Sequence, residues 1–129
     1  MRREGKDITI VATFAMLQGA LDAANEAGQK GISVEVIDPR TLVPLDRELI
    51  LESVKKTGRL MIADEGHKTC GAASEISAIV AEEAIEYLKA PIARLTSPDT
   101  PVPFSPPLEA EFLPDVKKFL PVIEKLARY

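Results

Sequence analysis

Ile8-Thr9-Ile10-Val11-Ala12-Thr13, then Leu17, Ala20, Leu21 and Ala24, then Ser33-Val34-Glu35-Val36-Ile37: this stretch decides the fold class. The first run is short, β-branched and nearly all apolar, the pattern of a strand buried on both faces. The next four residues are spaced i, i+3, i+4, i+7 and mark one face of a helix. Gly28 and Gly31 supply its stop and the turn out. Ser33 to Ile37 predict a second strand. A strand, a helix of about three turns and a strand make a right-handed parallel crossover the default connection.

Working outward, the unit repeats. Pro44-Leu45-Asp46 precedes a helix through about Thr57, with Asp46 as its N-cap and Gly58 as its stop. Arg59 to Ala63 predict the third strand. A helix from Gly71 to Leu88 carries Ala73, Ile76, Val80, Ala84 and Tyr87 along one stripe. Pro91 to Leu95 predict the fourth strand. A final helical region, broken or kinked at Pro121, carries Val116, Phe119, Ile123 and Leu126 on its buried side. Strands alternating with helices give an α/β fold, a three-layer open and mostly parallel sheet with helices on both faces.

Thr96 to Pro114 breaks the rhythm. It holds six of the ten prolines, three acidic residues and no basic one. Its proline content argues against helix and central strand, and fixed proline φ angles lower the entropy lost on ordering. The expectation is an extended strap over the surface, either a plain connection or a contact surface.

The 129 residues suit a single domain, and 46% hydrophobic with 28% charged residues is an ordinary globular composition. Every apolar run is interrupted by charge or proline, so no membrane span is expected. A net charge of −4, a pI near 5.1 and no basic block argue against a nucleic-acid partner. One cysteine, Cys70, rules out an internal disulfide, and one histidine, His67, leaves little for metal or proton-relay chemistry. The charged start, Met1 to Asp7, is no signal sequence, which gives a cytoplasmic expectation, or the mitochondrial matrix in a eukaryote.

Open parallel sheets bind ligands beyond the carboxyl ends of their strands. Those ends carry Thr13-Phe14-Ala15, Asp38-Pro39-Arg40, Asp64 to Lys68 and Thr96 to Asp99. None has a dinucleotide glycine pattern or a phosphate-binding P-loop. Asp64, Glu65, His67, Lys68 and Cys70 bunch acid, base and nucleophile types, but nothing in the sequence orients them into a catalytic set. Gly71-Ala72-Ala73 suits close packing of a helix start. Arg40, between two prolines, offers five donors that clamp either a partner's carbonyls and carboxylates or its own loop.

Three longer motifs carry a resemblance: Glu-Gly-Lys-Asp-Ile-Thr-Ile-Val-Ala-Thr (4–13), Val-Ile-Asp-Pro-Arg-Thr-Leu-Val-Pro-Leu-Asp (36–46) and Glu-Gly-His-Lys-Thr-Cys-Gly-Ala-Ala-Ser-Glu-Ile (65–76). Together they resemble the C-terminal domain of the transketolase superfamily. The stretch Ala-Pro-Ile-Ala-Arg-Leu-Thr-Ser-Pro-Asp-Thr-Pro-Val-Pro-Phe-Ser-Pro-Pro-Leu-Glu (90–109) narrows the likeness. It is similar to the beta subunit of the thiamine-dependent decarboxylase component of 2-oxoacid dehydrogenase complexes of the pyruvate, branched-chain and acetoin type. The sequence departs from that pattern at Phe14, where many relatives have glycine, and at Cys70-Gly71, where they have two.

The resemblance implies a single domain over 1–129, with 1–7 as the remnant of a first, antiparallel edge strand and linker, and 96–114 as the proline-rich strap. It places thiamine diphosphate and magnesium in the parent enzyme, outside this chain, and implies no catalytic, cofactor or metal residue here. The isolated chain is expected to be inactive. Implied partners are the alpha subunit, a second beta subunit and the peripheral subunit-binding domain of the dihydrolipoyl acyltransferase. Alone, the chain is expected to form a homodimer or to aggregate. Interface and docking candidates are Arg40, Glu86, Lys89, Arg94 and Tyr129. Two alternatives stand beside this reading: the same domain of another thiamine enzyme, such as transketolase or deoxyxylulose-phosphate synthase, and a small-metabolite module using Asp38, Arg40, Asp64 and Asp99.

Overall fold

Ile10 lies between Val36 and Met61 in the register of a parallel sheet, at the centre of the molecule. The structure is a computed structural model that describes residues 1–113 and 116–129, with the side chain of Val116 outside the described residues. Strands β1 (Ile8–Ala12), β2 (Val34–Ile37), β3 (Leu60–His67) and β4 (Ala93–Ser97) are arranged in the order β2-β1-β3-β4, all parallel. Helix α1 (Met16–Gln29) connects β1 to β2, α2 (Arg47–Thr57) connects β2 to β3, and α3 (Ala72–Glu83) follows β3. After β4 come α4 (Pro106–Phe112) and α5 (Val116–Ala127).

The strand side chains divide between two cores. Ile8, Ile10, Ala12, Val34, Val36, Met61 and Ala63 pack with α1 and α5 on one face. Val11, Ile37, Leu60 and Ile62 pack with α2 and α3 on the other. Burial on both faces is why these strands read as continuous apolar runs. The helix ends follow their local chemistry. Asp46 accepts a hydrogen bond from the Leu49 amide, and Gly58 closes α2 in the left-handed conformation at φ 74°. Arg3 forms an isolated antiparallel bridge with Val36 on the outer edge of β2.

Several boundaries differ from the sequence expectations. β3 continues to His67 and β4 runs two residues later, because the polar end of β3 is held by Thr96 and Ser97 of β4 across a register shift. α3 stops at Glu83, where Ala84 leaves helical geometry at φ −144°, and a 3-10 turn at Ile85–Tyr87 follows. Tyr87 is consequently exposed and off the buried stripe. The strap contains the helix α4, because Pro106 and Pro107 occupy its first turn, where a missing N–H breaks no helical bond. α5 runs through Pro121 without a break. A proline inside a helix costs about 3 kcal/mol, whereas burying Phe119, Ile123 and Leu126 gains about 1.5–3 kcal/mol each.

Candidate functional site

The carboxyl ends of the first three strands share a backbone peculiarity. Phe14, Arg40 and Cys70 follow β1, β2 and β3, and each adopts positive φ, at 43°, 62° and 57°. Left-handed geometry costs a side-chain-bearing residue about 1–2 kcal/mol. Thr13 fixes the base of this end: its amide bonds the Ala63 carbonyl and its hydroxyl donates to Asp64 Oδ1 at 2.7 Å, both groups buried.

Between the β1–α1 and β2–α2 loops lies a hollow of about 220 Å³, lined by Thr13, Phe14, Leu17, Asp38 to Arg40, Thr41 and Leu42. Arg40 stands at this hollow. Its amide donates to Asp38 Oδ1 at 3.1 Å, while its guanidinium lies 3.7 Å from Asp38 and remains 75% exposed. The charged head is thus only loosely held by its own loop. Phe14, Leu42 and the fully flanking Val43 are exposed on the same loops.

The β3–α3 loop holds no catalytic set among the described residues. The His67 ring is committed to Pro98, with Nδ1 3.0 Å from its carbonyl, and stands edge-on to Phe112 at 6.1 Å. Asp99 accepts both the Thr69 amide and the Thr69 hydroxyl, which hold its carboxyl below the ordinary aspartate value. Cys70 is exposed and free. These bonds fasten the proline-rich segment to the end of β3. Beyond Asp99 that segment displays Val102, Phe104 and Leu108 outward, with Phe104 wholly exposed.

The other residues singled out from sequence are dispersed. Arg94 is tied inward, its Nη1 donating to the Lys68 carbonyl and to Ser74 Oγ. It shares a shallow groove with Tyr129, between β4 and α5. Glu86 is exposed in the 3-10 turn, and the stem of Lys89 lies over Gly58, whose carbonyl accepts the Lys89 amide. The structure therefore brings Arg94 and Tyr129 together and leaves Glu86, Lys89 and Arg40 apart from them.

The sequence analysis missed a polar cluster at the opposite, amino end of the strands. Glu35, wholly buried, accepts bonds from the Gly5 amide, Ser53 Oγ and Lys56 Nζ. Thr9 links Ser53 and Thr57 at 2.7 Å each. Burial opposes the Glu35 charge, but the Lys56, Ser53 and Gly5 bonds outweigh it and hold the carboxyl below the ordinary glutamate value. A Cβ on Gly5 would stand 2.3 Å from the Glu35 amide nitrogen, so only glycine fits there. The available signal was a carboxylate inside an apolar strand, with Ser53, Lys56 and Thr57 spaced i, i+3, i+4 on the helix above it.

Magnesium and thiamine diphosphate test the carboxyl end further. Mg²⁺ bound with a diphosphate takes oxygen ligands, typically one or two carboxylates. Here Asp64, Asp99 and Asp38 are engaged by Thr13, Thr69 and Arg40. Among the described residues no three His, Cys, Asp or Glu side chains converge to hold a metal ion. These residues do not fit the cofactor.

The geometry defines a class first: an open parallel α/β domain whose chemistry-bearing residues brace loops at one end of the sheet. The chain belongs to the transketolase C-terminal domain family, whose model matches residues 1–119. It is 45% identical over 126 residues to the acetoin:2,6-dichlorophenolindophenol oxidoreductase subunit beta of Bacillus subtilis, covering 98% of this chain and 37% of that protein. It is 43% identical over 127 residues to the pyruvate dehydrogenase E1 component subunit beta of Rickettsia felis, covering 98% of this chain and 39% of that one. The chain thus spans under two-fifths of the length of these relatives. A solved structure described as a split gene transketolase, an inactive beta4 tetramer, superposes with a TM-score of 0.83 at 30% identity, over 98% of this chain and 40% of that one.

Proposed function

We propose that this chain is the non-catalytic assembly domain of a 2-oxoacid dehydrogenase decarboxylase beta subunit. The parent reaction is the oxidative decarboxylation of a 2-oxo acid with acyl transfer to a lipoyl group, and thiamine diphosphate and magnesium sit in parts of the parent outside this chain. One observation carries the reading: the loops after β1, β2 and β4, with helix α4, leave Phe14, Leu42, Val43, Val102, Phe104 and Leu108 exposed, with Val43 at 92%. A cluster of exposed large apolar side chains on one end of a soluble domain marks a surface made to be covered. The two dehydrogenase-type relatives, at 45% and 43% identity, favour that parent over a transketolase at 30%. The beta4 assembly of the solved relative supports self-association as part of the role.

In this reading the partners are the alpha subunit, a second beta subunit and, along the Arg94–Tyr129 groove, the acyltransferase's peripheral subunit-binding domain, in the cytoplasm or mitochondrial matrix. The test is co-expression with the remainder of a homologous beta subunit and its alpha subunit, followed by gel filtration. Co-elution is expected for the natural sequence, with loss of the complex for Val43→Asp. Failure of the natural sequence to associate, or decarboxylase activity of the chain alone, would overturn the reading. Calorimetry with the subunit-binding domain, at low and high salt, tests the groove separately, and absence of heat removes that partner.

A further inference from the structure

The proline-rich segment after β4 is an arm with few fastenings. From Pro98 to Glu111 every residue but Pro103 is exposed. At the near end the Pro98 carbonyl accepts the Nδ1 proton of His67 at 3.0 Å, and Asp99 is held by the Thr69 amide and hydroxyl. At the far end Phe112 is buried with the same His67 ring edge-on to it, and Lys118 Nζ reaches the Glu111 carbonyl at 2.8 Å. His67 therefore touches both ends. Between them Pro101, Pro103, Pro106 and Pro107 fix φ, which favours movement of the arm as a unit over bending within it.

The root of the arm carries an unusual group. Ser97 ends β4, pairs with His67 in the sheet register and is wholly buried, yet its Oγ has no hydrogen-bond partner. Among the described residues it is the one buried side-chain polar atom left in that condition. A buried hydroxyl without a partner has lost its water and gained nothing in exchange, so it disfavours the arrangement that buries it. Ser97 adjoins Pro98, the first residue that His67 holds.

We propose that the arm is a strap poised to open, pinned closed at both ends by His67 and biased toward opening by the unsatisfied Ser97 hydroxyl at its root. When Pro98 and Asp99 lift away, water reaches Ser97 and completes its hydrogen bonding. The closing contacts are a few solvent-exposed bonds and one ring contact, and the opposing group is one stranded hydroxyl, so neither side dominates. Segments that open locally in folded proteins have few buried apolar contacts and exposed hydrogen bonds, which describes Pro98 to Glu111. Opening carries Val102, Phe104 and Leu108 with the arm. Together with the assembly reading above, on which this sentence alone rests, it gives the side chains offered to a partner a movable support.

The 129-residue chain itself is the material for the test, labelled with a thiol reagent in a Cys70→Ser background. Ser97→Cys is expected to react at least about tenfold faster than Ala20→Cys, an equally buried position in the main core that opens only with the whole fold. Adding His67→Ala should speed the reaction of Ser97→Cys by about a further tenfold, the loss of one hydrogen bond and a ring contact. Ala20→Cys should keep its rate under the same change, which separates a released arm from a failed fold. With Cys70 in place, Ser97→Ala should slow hydrogen exchange of the Thr69 amide, which Asp99 covers only while the arm is closed, by about fivefold. Equal reactivity of Ser97→Cys and Ala20→Cys, indifference of Ser97→Cys to His67→Ala, or unchanged or faster Thr69 exchange in Ser97→Ala would each overturn the proposal. No partner chain enters these measurements, so their failure leaves the co-elution with alpha and beta partners standing, and the two readings fail separately.

Discussion

The two ends of the sheet are built on opposite plans. At the amino end, Glu35, Thr9, Ser53 and Thr57 satisfy one another inside the protein, Lys56 reaches Glu35 from the surface, and the Gly5 amide closes the group. At the carboxyl end, three side-chain-bearing residues hold left-handed backbone and large apolar groups face solvent. The first arrangement is complete within one chain. The second leaves large apolar side chains uncovered within the chain. The difference separates residues that hold the domain together from residues available to hold something else, and the first set is polar while the second is largely apolar.

The largest effect expected from breaking this contrast comes from Glu35→Ala. It leaves the buried Ser53 hydroxyl and the part-buried Gly5 amide without their acceptor, while Lys56 returns to solvent, and a buried polar group left unsatisfied costs about 1–3 kcal/mol. Urea unfolding should show the midpoint fall, and a loss under about 1 kcal/mol would mean the network is not a stability element. Acid should act on the same group. Because the folded Glu35 pKa lies below its unfolded value, its contribution is present above the ordinary glutamate pKa and is lost as pH falls through the folded value. Thermal melts from neutral to acid pH should therefore show a steeper decline for the natural chain than for Glu35→Gln, and parallel curves would contradict it.

At the carboxyl end the expected sign reverses. Cys70→Gly should stabilise the chain by about 1 kcal/mol, since glycine takes φ 57° without the steric cost. A destabilised variant would show that the Cys70 side chain makes a contact worth more than its strain. The smallest change is reserved for the arm. Asp99→Asn weakens the clamp on Thr69, and limited proteolysis between Thr100 and Phe112 should become faster with the thermal midpoint unchanged. Equal cleavage rates would mean that His67 alone secures the segment.

Much of this was legible in the sequence, for identifiable reasons. β1, β2 and α2 were readable because strands buried on two faces are uninterrupted apolar runs, and because Asp46 and Gly58 carry the cap chemistry their positions demand. The far half of β3 was not, because Asp64 to His67 look like a loop and become strand only by pairing with β4. α4 was hidden by prolines that are harmless at a helix start, and α5 by one whose cost its buried face exceeds. Arg40 and the carboxyl-end loops were visible as candidates, whereas Glu35 was visible only as an oddity inside a strand.

Sequence by itself determined the repeating strand–helix order, the parallel connection and the family, since these depend on periodicity and local motifs read along one chain. Tertiary structure alone decided that Thr9, Glu35 and Ser53 form one buried network. It alone placed His67 as a clamp on both ends of the arm and left Phe104 and the hollow each open. Those are relations between residues distant in sequence, and no local propensity encodes a distance across the sheet.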